Sequence, residues 1–172
     1  MPTIISHALV PLAAAAILGT RRIPVRLALM GAILAMAPDI DVISFKLGAA
    51  YSDEWGHRGA SHSLAFAGAL AAALALLPGL RTAKSALFLF AAAASHGLLD
   101  MATDGGLGIA LFWPFEQTRH FLPFTPIRVS PIGAGFFTAR GAETIASELL
   151  WIWLPCAVLI GSRLVLRGRR TD

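Results

Sequence analysis

The sequence predicts an all-α protein: one domain over residues 1–172, an integral membrane bundle of about five spans with a long aromatic non-cytoplasmic loop. Three observations carry this. The chain is 56% hydrophobic and 14% charged, with a mean hydropathy of +0.70, whereas a soluble domain carries about 25% charged residues. Apolar stretches run over 4–20, 24–38, 63–80, 84–100 and 144–166, each near the ~20 residues that cross a bilayer as helix. The charges between them are sorted by sign.

The first stretch is N-terminal and alanine-rich, like a signal peptide. It has no basic residue before it, and Arg21 and Arg22 follow it. That order is the reverse of a cleavable signal, so it reads as a retained span with its N-terminus outside. The second stretch is short and ends at Pro38, which distorts the last helical turn. The third and fourth carry small residues (Gly68, Ala71–Ala73, Ala91–Ala94) that let helices approach closely. The fifth begins beside Glu148, and Trp151 and Trp153 mark its outer part as interface anchors. Helix is the state that satisfies a lipid-exposed backbone within one segment.

Orientation follows from the links. Arg21, Arg22 and Arg26 lie in the first, Arg81 and Lys84 in the third, and Arg163, Arg167, Arg169 and Arg170 at the tail. The positive-inside rule makes that side cytoplasmic. All five histidines and every acid except Asp172 then fall on the opposite side. The expected arrangement is multi-pass, with the chemistry on the non-cytoplasmic side. A four-span form, whose first segment only lies in the interface, is the alternative. The pI near 10.2 does not indicate nucleic acid, because the basic residues sit between apolar runs. Cys156 is alone and mid-segment, so there is no disulfide framework.

Two long segments remain on the outer side. Residues 39–61 are polar and dotted with glycine, and residues 101–143 combine glycines and prolines with Phe112, Trp113, Phe115, Phe121, Phe124, Phe136 and Phe137. A loop of that length is commonly a lid or binding element. Its aromatics favour the headgroup level beside the site.

The candidate chemistry lies at the span ends. His96 and Asp100 are four apart at the exit of the fourth stretch, so both face one way on a helix. Asp39 and Asp41 follow Pro38 where the second stretch ends. His57, Arg58 and His62 precede the third, where Ser61 is a candidate N-cap and the helix start would keep His62 neutral. His7 stands at the outer start of the first stretch. Ionisable groups at membrane depth are costly and mark function. Mixed His/Asp donors with no cysteine suit zinc, manganese or iron(II). Asp39, Asp41, His62, His96, Asp100 and His7 exceed the ligands of one catalytic zinc. Either two ions bind, or one ion has acidic and basic partners. His120 is left outside the ligand set, and Glu143 is either a nearby acid or a helix-start charge.

The motifs Pro38-Asp-x-Asp41, His57-Arg-Gly-x-Ser-His-Ser63 and Ser95-His-x-x-Leu-Asp100, with His7 and Trp113-Pro-Phe115, resemble those of the membrane-bound metal-dependent hydrolases. These are also described as LexA-binding, inner-membrane-associated hydrolases. The resemblance covers essentially the whole chain and implies a class of activity rather than a substrate. A remoter likeness is to helical zinc-dependent phospholipases C. By that likeness Asp39, His62, His96 and Asp100 would hold one ion, and His7 and Asp100 would share in a second. The chain departs from those enzymes in lacking their later HxxxE pair, so a third ion is not implied.

The expected function is hydrolysis of a phosphoester or similar ester in a membrane lipid or lipid-linked substrate, by water activated at one or two divalent ions, zinc foremost. Asp41 or His57 is the expected general base, and Arg58 or Arg128 the anion-stabilising group. A metal transporter or sensor is the rival, although the span middles are nearly bare of the ionisable residues that a transport path requires. A regulatory partner of a cytoplasmic protein is the third reading, and the short basic loops offer it little surface.

Overall fold

The computed structural model describes residues 1–168; Arg169, Arg170 and Asp172, used above for orientation, lie outside the described residues. Helix α1 (Ile4–Leu18) contains Pro11, which denies the His7 carbonyl its helical donor. Helix α2 (Val25–Met36) starts directly after Pro24. At Pro38 it tightens into a 3-10 turn over Ala37–Val42 and continues as the short α3 (Ile43–Lys46). The segment read as a loop from residue 39 therefore starts helical. Helix α4 (Leu64–Ala75) is capped by Ser63, whose hydroxyl accepts from the Phe66 amide at 3.0 Å. Helix α5 (Ala83–Met101) is capped in the same way by Thr82.

The C-terminal element is longer than its apolar stretch. It starts at Ala139 as α6 (Ala139–Glu148), widens into a π turn over Leu149–Trp153 and ends as α7 (Leu154–Gly168). Among the described residues there is no strand, only isolated bridges between Thr103 and Ile127 and between Ile109 and His120.

Leu27, Leu34, Ala67, Ala71, Phe88, Leu89 and Ala93 form the core between α1, α2, α4 and α5. Their outer faces are apolar too: Leu29, Ile33 and Leu87 are more than half exposed. That inversion suits a hydrocarbon surround. Val25–Lys46 and Ala139–Gly168 are long and apolar enough to cross a membrane, while Ile4–Leu18 and Leu64–Ala75 are apolar but shorter. α7 has no buried residue and leans on α1. The histidine- and acid-bearing ends of α1, α2 and α5 meet at one rim, roofed by the loop after α5.

Candidate metal centre

α5 lies at the middle of the site. His96 and Asp100 project from successive turns of its last third, and both are fully buried. The His96 Nδ1–H donates to the Ala35 carbonyl at 2.7 Å, which leaves the Nε2 lone pair facing the rim. His62 meets it there, with the two Nε2 atoms 3.0 Å apart. The approach needs a glycine: a Cβ on Gly97 would stand 2.8 Å from the His62 carbonyl oxygen. Asp39, delivered by the 3-10 turn after α2, places Oδ1 3.4 Å from His96 Nε2 and 3.8 Å from His62 Nε2. Asp100 Oδ2 is 3.5 Å from His62 Nε2. One donor atom from each of Asp39, His62, His96 and Asp100 falls within 4.8 Å of the others. His7 stacks on His96 with ring centroids 3.8 Å apart, and its Nε2 is 3.5 Å from Asp100 Oδ1.

Three of the predicted residues play a different geometric part. Asp41 belongs to a second group with His57 and His62. Its carboxylate accepts from His57 Nδ1 at 2.6 Å, the Arg58 amide at 3.1 Å and the Ser61 hydroxyl at 2.7 Å, and lies 3.1 Å from His62 Nδ1. A carboxylate can only accept, so it holds both imidazoles with Nδ1 protonated. Arg58 is turned inward and fully buried. Its Nε is 3.1 Å from Asp100 Oδ2, and its Nη atoms donate to the Gly105 carbonyl at 2.6 Å and the Thr103 hydroxyl at 2.8 Å. Its φ of 65° is costly for a residue with a Cβ. The bonds along its guanidinium hold it there. Gly106 accommodates this packing, since a Cβ on it would meet Arg58 Nη1 at 2.7 Å.

The electrostatics ask for a cation. Both nitrogens of His7, both oxygens of Asp39 and of Asp100, and Arg58 Nε are buried without a hydrogen-bond partner. Buried polar groups are normally paired, and a shared shortfall at one point fits a bound ion. With the imidazoles neutral, the carboxylates of Asp39, Asp41 and Asp100 against the Arg58 guanidinium leave two uncompensated negative charges, which one divalent cation would neutralise. The nearby Met1 amine offers little, because burial lowers it to about 6. Burial also lowers the His62 imidazole, but the facing carboxylates of Asp100, Asp39 and Asp41 outweigh it and push it up to about 10. A proton on His62 thus stands where a metal would otherwise supply the charge. This corrects the expectation of a neutral His62 at a helix start: the cap is Ser63, and His62 lies before α4 in the turn Ala60–His62. Ser61 instead serves Asp41.

The remaining candidates lie apart. Arg128 is exposed and pairs with Asp104 at 2.7 Å. His120 stands 3.6 Å from Glu116, and Glu143 is exposed. The long loop does cover the site. The Ala110 amide donates to the Arg58 carbonyl at 3.0 Å, the Leu64 amide to that of Leu111 at 3.0 Å, and Arg119 Nη1 to that of His57 at 3.1 Å. Phe115, Phe124 and Phe137 point outward from it.

From the sequence, Glu148 is only an acid one turn into a helix. In the fold it is fully buried and caps α1, accepting from the Thr3 amide at 2.5 Å and from the Thr3 and Ser6 hydroxyls at 2.6 Å. Trp153 Nε1 donates to the same Ser6 hydroxyl at 2.8 Å. The usable signal was a carboxylate followed at once by a long apolar run. This network fixes the start of α1, and with it His7.

Over residues 1–169 the chain matches the model of the YdjM inner membrane protein family. It is 44% identical over 167 residues to the inner membrane protein YbcI of Escherichia coli (strain K12), covering 94% of this chain and 96% of that one. No solved structure matches.

Proposed function

We propose that this chain, which belongs to the YdjM inner membrane protein family, is a five-span metal-dependent hydrolase whose centre faces the periplasm. The observation that carries the reading is the set of buried, unpaired donors on Asp39, Asp100 and His7 around the His62–His96 pair. Asp39, His62, His96 and Asp100 would hold the ion, with His7 completing the set or reaching a second ion beside Asp100. Two imidazole nitrogens bound to one tetrahedral zinc stand about 3.3 Å apart, close to the spacing here. An ion bound there supplies Lewis acidity and acidifies a water.

The protein's own groups do the rest. Asp41 orients His57 through Nδ1, leaving Nε2 free to take a proton from the attacking water, so His57 is the base and Asp41 its positioning partner. Arg58, with Nε 3.1 Å from Asp100 Oδ2, keeps that carboxylate aimed at the centre. A phosphoester fits the charge, and the outward aromatics of the covering loop favour a lipid substrate.

One observation favours a second reading. His7, His96 and Asp100 are fully buried, which also suits an ion that is sensed or structural. Elemental analysis of the purified protein beside His96→Ala, with assays on phospholipids and soluble phosphoesters, separates these readings. A divalent ion lost in the variant together with lipid hydrolysis supports the proposal. The same ion with no hydrolysis of any phosphoester favours the second reading, and no metal in either protein overturns both.

A further inference from the structure

The end of the bundle opposite the metal centre carries its own site. α1 ends at Gly19, and the chain turns through Thr20, Arg21 and Arg22 before α2. α7 brings Arg163 and Arg167 to the same place, and the four arginines line a recess of about 390 Å³. Two of them lie against α1. Arg163 is half-buried, and its Nε donates to the Ile17 carbonyl at 3.2 Å. The Arg167 guanidinium lies against Gly19 so closely that a Cβ there would overlap it. Among the described residues no acid forms an ion pair with any of the four. Four arginines lining one recess, with no described acid paired to them, give it a positive potential that attracts an anion. Their planar forks suit the oxygens of a phosphate.

A second feature indicates where that phosphate comes from. An apolar groove of about 310 Å³ between α1 and α2, lined by Leu12, Ala16, Ala28 and Leu29, shares Gly19, Thr20 and Arg167 with the recess. A phosphate in the recess therefore sits at the mouth of a channel shaped for a hydrocarbon chain. We infer that this end of the protein binds the phosphate of an anionic phospholipid, with one acyl chain lying along the α1–α2 groove. The site is separate from the metal centre and does not depend on hydrolysis.

Native mass spectrometry of the full chain in detergent tests this, with phosphatidylglycerol and phosphatidylcholine of identical acyl chains as probes. The Arg163→Gln/Arg167→Gln variant keeps the other basic links that orient the chain. It should retain phosphatidylglycerol roughly 30-fold less well, with phosphatidylcholine unchanged. Arg21→Gln/Arg22→Gln gives an independent second loss if the first pair fails to fold. Equal retention of the two lipids by the parent protein, or undiminished phosphatidylglycerol in a folded variant, overturns the site. Displacement of the lipid by an equal concentration of inorganic phosphate overturns the lipid assignment. Metal content, read separately, reports on the other rim alone.

Discussion

Glu148 and Asp100 are both carboxylates with no solvent exposure, yet their surroundings differ in kind. Glu148 receives three short hydrogen bonds from Thr3 and Ser6, and neither of its oxygens lacks a donor. Asp100 has Arg58 Nε at 3.1 Å and imidazole nitrogens at 3.5 Å, but neither oxygen has a hydrogen bond. Burial alone does not distinguish a structural acid from a ligating one. What distinguishes them is whether protein donors already satisfy the oxygens. An acid satisfied by neutral donors holds the fold together, while one left short at a point shared with His62, His96 and Asp39 stands in a group that could hold a cation.

The largest test of that contrast removes a ligand. Asp100→Asn or His96→Ala should take bound metal from about one ion per chain to none, read by elemental analysis. Next is Asp41→Asn, which leaves the ligands in place but loosens His57 and His62. Metal affinity should fall about 10–100-fold, and any hydrolysis should fall about 100-fold or more. The pH dependence is gentler. In the metal-free protein the raised His62 imidazole stabilises the fold fully below its ordinary 6.5, and that contribution is lost as pH rises through about 10. Metal must displace that proton, so affinity should rise about tenfold per pH unit between those limits, with one proton released per ion in calorimetry.

Glu148→Gln should retain the metal while losing about 1–3 kcal/mol of stability, seen as a lower Tm. A metal-free but folded Glu148→Gln protein would break the comparison. The smallest effect belongs to Asp104→Asn at the exposed Arg128 pair. It should leave metal content unchanged, because neither residue reaches the centre.

The grouping of Asp39, His62, His96 and Asp100 was legible in the sequence because each stands at a span end. Pro38 lies in the 3-10 turn that follows α2 and delivers Asp39, and the i, i+4 spacing puts His96 and Asp100 on one face. What the sequence hid was rank order within the site. Asp39 and Asp41 look equivalent in Pro-Asp-Ile-Asp, and a 3-10 turn decides that one faces His96 while the other faces His57. Arg58 resembled a substrate fork, but a left-handed backbone turns it inward, and that conformation is not coded locally. Glu148 escaped because its partners are about 145 residues away in the chain, at Thr3 and Ser6. The helices themselves follow the apolar stretches, with the last extended at its outer end by the amphipathic α6.

The wide turn at Leu149–Trp153 has a consequence for how the bundle holds together. Residues five apart nearly align across an i→i+5 turn, which brings Glu148 and Trp153 together on Ser6. The C-terminal helical element thereby clasps the start of α1, 142 residues away in the chain. His7 follows Ser6 directly, so the rim's first imidazole takes its bearing from a helix that carries none of the other candidate ligands.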